Sequence, residues 1–370
     1  MNRVVLIGNG FDLAHGLKTS YTHFINWYLC RLDAELRKTY YSVYQDGLCR
    51  FETGNRYYRM ADYMASCPKY RVELDFREWL KENTNVTASY SPLFENIIGE
   101  YYSKNWVDIE YEYYKLLLKS VREGYPTAKA INGQLNSLQM LLAEYLSSLT
   151  EIAVEPIAGI REYICEPVDR ENLASSSKDI VREDQYKMRT KYGVNSECLF
   201  DKGGTPENIM LLNFNYTSLT DLYVHSKVSQ SIHVHGSLEN PEQMIFGYGD
   251  DLDEDHKLLV KPQDNELLRN DKSVRYLEAD NYRRILRFID SDAYQVYIMG
   301  HSCGNSDRTL LNTLFEHKNC VSIKPFYYEH DGKDNYLDIV QNISRNFTNA
   351  QLMRDRVVNK TQCHPLPQAK

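Results

Sequence analysis

A chain of 370 residues, 42% hydrophobic and 25% charged, can bury a large core in one elaborated domain or two, which excludes disorder as its resting state. Its 43 Lys and Arg against 51 Asp and Glu leave a formal charge of -8, which excludes the whole chain from holding duplex nucleic acid by phosphate neutralisation but leaves a local basic patch open. No run approaches the roughly 18 apolar residues of a membrane helix, and Met1-Asn2-Arg3 leads into a strand without a cleavable leader, so a cytoplasmic protein away from membranes is expected.

The β-branched run Val4–Ile7, broken by Gly8 and Gly10 and then Gly16, predicts a buried strand feeding a tight turn. Bare backbone at such a turn can close on a phosphate, which makes Gly8, Asn9, Gly10, Phe11 and Gly16 candidate nucleotide-binding residues. The third glycine comes three positions later than in the dinucleotide fingerprint, and turn formation alone explains these glycines equally well. Phe24, Ile25, Tyr28, Leu29, Leu32 and Leu36 recur at helical spacing, predicting a helix over 21–37 behind the hydroxyls of Thr19 and Ser20. The stretch Tyr40–Tyr70 has mixed periodicity and receives no assignment, while Leu74–Leu80 reads as a short helix. From Trp106, apolar residues at Ile109, Tyr113, Leu116, Leu117 and Val121 predict one long helix. Leu135, Leu138, Leu142, Tyr145 and Leu149 predict a second, paired with the first around Gly124-Tyr125-Pro126. Residues 171–204 read as exposed linker.

Beyond it the period changes. Short apolar runs at Ile209–Phe214, Ser231–His235, Met244–Phe246, Gln295–Met299 and Val321–Ile323 predict strands, with helices near 282–288, 309–315 and 336–343. Alternation of this kind predicts an α/β fold with a Rossmann-like parallel sheet. The N-terminal strand would join the C-terminal half, as a discontinuous domain of 1–37 and 205–350. A mainly helical insertion, 38–204, would interrupt it, and 351–370 would form a C-terminal tail. The eight cysteines, Cys30, Cys49, Cys67, Cys165, Cys198, Cys303, Cys320 and Cys363, show no C-x-x-C pair and read as free thiols, so no metal is predicted. Thirty tyrosines, with doublets at Tyr40-Tyr41, Tyr57-Tyr58, Tyr101-Tyr102 and Tyr113-Tyr114, suit interfaces and ordinary packing alike.

Ligands in such sheets bind beyond the carboxyl ends of the strands. Those ends carry Gly8-Asn9-Gly10-Phe11-Asp12, Asn213-Phe214-Asn215-Tyr216-Thr217, His233-Val234-His235-Gly236-Ser237, Phe246-Gly247-Tyr248-Gly249-Asp250 and Gly300-His301-Ser302-Cys303-Gly304-Asn305-Ser306-Asp307. Each alone is ordinary turn chemistry, and His235 could be a satisfied core histidine. Together they bring amides, an imidazole, hydroxyls and a carboxylate to one crevice.

These motifs, G-N-G-F-D-L-A-x-G-L-x-T-x-Y, W-x-D-x-E, N-F-N-Y-T, H-x-H-G-S, F-G-Y-G-D and G-H-S-x-x-x-x-D, resemble the AbiH family of bacterial abortive-infection (antiphage) proteins over nearly the whole length. More distantly the arrangement is similar to the sirtuin-like NAD-binding fold. That resemblance implies a pyrophosphate turn at Gly8, Gly10 and Gly16, Asn215 near the nicotinamide ribose and His235 as base. It implies adenosine-ribose contacts from Gly300 and Ser302, and Asn213, Gly236, Ser237 and Asp307 join the candidate ligand-binding set. Thr217 stands where those enzymes have an aspartate, and the paired-cysteine zinc module is absent, which argues against protein deacylation. The implied activity is therefore NAD hydrolysis at the nicotinamide–ribose bond by an antiphage effector. His235, Asn215 and Asp12 are its candidate catalytic residues. A nucleotide sensor without turnover is the alternative, favoured by Thr217. A metal-dependent nuclease using Asp12, Asp108, Glu110, Asp250 and Asp307 is disfavoured by the acidic charge. Asp108 and Glu110 splay apart on a helix and read equally as helix-start acids. The residues name no phage-derived trigger and leave homo-oligomerisation open.

Overall fold

The computed structural model describes residues 1–82, 85–99, 106–150, 152–177, 205–226 and 228–369, side chains excepted at 106–108 and 229. Strand β1 (Asn2–Ile7) lies at the centre of a five-stranded sheet, every neighbouring pair parallel. Numbering β2 (Val43–Gln45), β3 (Cys49–Thr53), β4 (Val86–Tyr90), β5 (Ile209–Asn213), β6 (Val228–His233), β7 (Tyr294–Met299) and β8 (Cys320–Phe326), the sheet order is β6-β5-β1-β7-β8. Val4 sits opposite Met210 on one side and Val296 on the other, so the first strand bridges the two halves of the later sequence as expected.

The unbroken apolar run of β1 follows from burial on both faces. Val4 and Leu6 join a core with Leu212, Val296 and Ile298 beneath the helices Asn281–Ser291, Arg308–Glu316 and Tyr336–Arg345. Val5 and Ile7 point the other way, into a core with Leu211, Met299 and Ile160 and Ile164 of the helix Ala158–Cys165. Arg3 is fully buried between these layers. Its guanidinium lies 4.0 Å from the Tyr297 ring centre and donates to Ile164 O at 2.9 Å, Glu166 O at 2.8 Å and Gln295 Oε1 at 2.9 Å, capping the carbonyl end of that helix.

The helices Tyr21–Lys38, Trp106–Glu123 and Ala128–Leu149 build a separate core, with Phe24, Leu32, Tyr113, Leu117, Leu135 and Leu142 among its members. Ser20 and Thr127 cap two of them by accepting from His23 N and Ala130 N. The unassigned stretch resolves into β2 and β3, which pair with β4 as a small antiparallel sheet. Two strand boundaries are corrected. Met244–Phe246 is buried extended chain with no ladder beside it, held by the Ile245 N–H to His235 O bond and by the Tyr216 hydroxyl and Arg275, which donate to Ile245 O and Met244 O, and β6 stops at His233, two residues before His235. Residues expected as a tail include the helix Ala350–Arg356 and a strap that pairs Tyr327 with Pro365 and buries Leu366 in the core that also holds Val5 and Phe11. The expected linker lies mostly outside the described residues, as do Cys198 and the Tyr101-Tyr102 doublet; the seven described cysteines are free. Among the described residues no helix is long and apolar enough to cross a membrane.

Candidate functional site

At the carboxyl ends of β1, β5, β6 and β7 lies a cavity of about 1010 Å³, closed on its far side by Glu110 and Tyr111 of the Trp106–Glu123 helix and by Leu142 and Leu146 of its partner. Its floor is two glycine turns pressed together. A Cβ on Gly8 would lie 2.5 Å from the His301 Cα, one on Gly10 2.8 Å from the Gly300 Cα, and one on Gly300 2.1 Å from the Phe11 nitrogen. Gly300 also has φ +76°, open to glycine at little cost. The Gly10 N–H donates to Gly300 O at 2.9 Å and the Phe11 N–H to Gly8 O at 2.8 Å, so these amides serve the fold. Close backbone approach therefore accounts for both glycines.

Asp12 borders the cavity from the first turn of the helix Asn9–Ala14 and is nearly inaccessible to water. Thr217 Oγ1 donates to one of its oxygens at 2.7 Å and Asn215 Nδ2 to the other at 2.8 Å. Burial raises its carboxyl to about 7, although both hydrogen bonds pull the other way. Asn215 gives its remaining Nδ2 hydrogen to Gly8 O at 2.9 Å, which leaves Oδ1 as its polar atom with capacity for a ligand.

Across the cavity is a buried ion network. Lys272 Nζ lies 2.9 Å from both carboxylate oxygens of Glu110 and 2.9 Å from Asp307 Oδ1. His235 Nε2 lies 3.1 Å from that same Asp307 oxygen and 3.2 Å from the Tyr276 hydroxyl. An ionised carboxylate accepts only, so Nε2 carries a proton towards Asp307. Burial by itself would raise Asp307, but Lys272 above all, with the His235 hydrogen bond, holds it far below the usual carboxylate range. Burial likewise opposes the charge on Lys272, and the Asp307 and Glu110 carboxylates outweigh it and keep the ammonium protonated. His301, accepting from Cys303 N at 3.0 Å and 3.7 Å from Asp307 Oδ2, is pushed down to about 4 by burial and stays neutral.

Of the residues expected at the site, Gly8, Asn9, Gly10, Asp12, Asn215, His235, Gly300, Ser302 and Asp307 border this cavity. Phe11, Gly16, Asn213, Gly236 and Ser237 do not. Phe11 packs 4.7 Å from His15 and 5.3 Å from Tyr223, ring centre to ring centre. Asn213 donates to Thr217 O at 2.8 Å and Thr220 Oγ1 at 3.2 Å, shaping the turn that presents Asn215. Gly16 and Gly236 take φ of +81° and +80° where the chain reverses. Glu110 is a buried partner of Lys272, not merely a helix-start acid; the Trp106 and Asp108 side chains lie outside the described residues.

Lys272 has no motif to announce it: Asp271-Lys272-Ser273 reads as a capped helix start, and Asp271 does cap Ser273 N at 2.8 Å. Asp250 is bound to Arg308 at 3.3 Å, so of the acids of the nuclease reading Glu110, Asp250 and Asp307 face a cation and Asp12 faces neutral donors, while the Asp108 side chain lies outside the described residues. Among the described residues one cluster, Asp251, His256 and Asp271, has the spacing of metal ligands. His256 Nε2 and Asp271 Oδ2 are already bonded at 2.5 Å, and that bond raises the His256 pKa, which is the behaviour of an ion pair.

A family model described as Bacteriophage abortive infection AbiH matches residues 4–329. No curated protein and no solved structure matches the chain.

Proposed function

The chain belongs to the bacteriophage abortive infection AbiH family, and from that premise we propose a cytoplasmic antiphage effector that binds NAD in the strand-end cavity and hydrolyses its nicotinamide–ribose bond. The strand order, 3-2-1-4-5 in order along the chain, matches the first five positions of the order common in dinucleotide-binding α/β sheets, and the cavity lies where such sheets bind ligands, which supports the reading. Its volume, at the upper end of the ~300–1,000 Å³ typical of small-molecule sites, suits a dinucleotide.

Asp12 carries the reading. Loss of nicotinamide leaves positive charge on the ribose, which a carboxylate stabilises before accepting a proton from the attacking water. A carboxyl titrating at about 7 is available in both forms at neutral pH. Thr217, at the position where the sirtuin-like pattern has an aspartate, hands its hydroxyl to Asp12, so the acid is supplied from the first strand end instead of the second. Asn215 fixes the other oxygen, and Asp307 orients His235 as a second proton acceptor.

The test is nicotinamide release from NAD by purified protein, followed by chromatography, and the NAD pool of phage-infected cells expressing it. Asp12→Asn should lower turnover ~10²–10⁴-fold in a folded protein. Constant NAD in both settings with the wild-type chain would sink hydrolysis. The second reading, a sensor that binds an adenine nucleotide without turnover, is favoured by one observation. His235 Nε2 and both Nδ2 hydrogens of Asn215 are engaged inside the protein. Saturable stabilisation by NAD without product would select it.

A further inference from the structure

Residues 38–71 carry seven tyrosines and a charge opposite to that of the chain: Lys38, Arg50, Arg56, Arg59, Lys69 and Arg71 against Asp46, Glu52 and Asp62, a net of +3 in a protein of -8. All three carboxylates are occupied. Asp46 accepts from the Tyr28 hydroxyl at 2.9 Å and from Leu48 N and Cys49 N, Glu52 pairs with Arg50 at 3.1 Å, and Asp62 pairs with Arg59 at 2.9 Å. Lys38 is paired with Glu35. Arg56, Lys69 and Arg71 are exposed and, among the described residues, form no ion pair, so the surplus charge is theirs.

The tyrosines are unusually bare for their size. Tyr57 is 95% exposed, Tyr41 78%, Tyr40 72% and Tyr58 54%. They belong to one surface. Met60 N donates to Tyr41 O and Ala61 N to Thr39 O, the Arg59 guanidinium stands 5.3 Å over the Tyr40 ring, and the Tyr58 and Tyr63 rings meet at 5.8 Å. The chain beneath is held by Arg37, which donates to Pro68 O at 2.8 Å. Flat rings with wet hydroxyls offer stacking faces, and uncompensated cations offer phosphate contacts. Stacked duplex bases cannot use the former, whereas splayed bases can.

We propose that this face docks single-stranded nucleic acid. The experiment is fluorescence anisotropy of the full chain with labelled oligo-dT, oligo-U and a duplex of the same length. Both single strands should bind and the duplex should not. If three cations meet phosphates, affinity should fall roughly 20-fold between about 50 and 200 mM salt. Tyr40→Ala with Tyr57→Ala should weaken binding by at least ~5-fold per ring with an unchanged melting temperature, and Arg56→Glu should flatten the salt dependence. Absence of single-strand binding by the wild-type chain, equal binding of duplex, or indifference to the tyrosine substitutions would overturn the proposal. Loss of phage protection by the tyrosine variant of a chain that binds no oligonucleotide would overturn it in favour of a protein partner.

Discussion

Replacing Lys272 with methionine removes one charge from a side chain that is 1% exposed and strands two carboxylates, Glu110 and Asp307, that each lay 2.9 Å from it. Methionine nearly refills the volume, so the cost is electrostatic. Breaking a buried pair typically costs ~3–5 kcal/mol, and the two anions now face each other with less to offset their desolvation. The sign with pH follows from Asp307. In the native protein its pKa is depressed, so its contribution is complete above the unfolded value of about 3.9 and is lost as pH falls below that. Without Lys272, burial dominates and the Asp307 pKa rises. The variant's deficit in urea unfolding should therefore be largest near pH 8 and shrink towards pH 5, as the stranded acids take up protons. Removing all three charges together, with Glu110→Gln and Asp307→Asn added, should recover most of the loss. A deficit under about 1 kcal/mol at pH 8, or one equal at pH 5 and pH 8, would refute the electrostatic account.

Asp12 is raised to about 7, so the unfolded chain binds fewer protons and stability falls as pH rises from about 4 through 7; Asp12→Asn should remove a slope worth about 4 kcal/mol in urea titrations across that window. His301, lowered to about 4, acts in the opposite sense, since the unfolded chain binds more protons between about 4 and 6.5 and stability falls as pH falls. Its ring signals in NMR should stay neutral at pH 5, and a protonated ring there would contradict its burial. Gly300→Ala places a methyl 2.1 Å from the Phe11 nitrogen at φ +76° and should destabilise by several kcal/mol, ~3 or more, in thermal unfolding. The same clash logic applies at Gly10, where Gly10→Val should disturb the fold before it disturbs a ligand.

The sheet was legible because β1 is apolar at every position of Val4–Ile7, and because β5 and β7 repeat that pattern before Asn213 and Gly300. The helical hairpin was legible from the 3–4 spacing of Ile109–Val121 and Leu135–Leu149. Met244–Phe246 misled because burial against a loop gives the same apolar run as burial in a ladder. β2 and β3 were hidden because their short strands alternate with exposed Arg50 and Glu52 and with bare tyrosines, which blurs the period. At the cavity, side chains at strand ends could be placed from sequence, whereas Lys272 and Glu110 meet only through the packing of a distant helix on the crevice.

The central position of β1 also has a temporal meaning. It leaves the ribosome well before its sheet neighbours, which begin at Ile209 and Tyr294. At ~5–20 residues per second, roughly 200 residues of synthesis keep it without a partner for roughly 10–40 s. The floor of the cavity needs Gly300 against Gly10, and the strap that buries Leu366 comes later still. Nascent chains must therefore shelter an apolar strand while the Tyr21–Lys38 helix and the hairpin behind it fold on their own core. The crevice is thus among the last parts of the molecule to exist, and a ribosome stalled midway releases a fragment with no formed site.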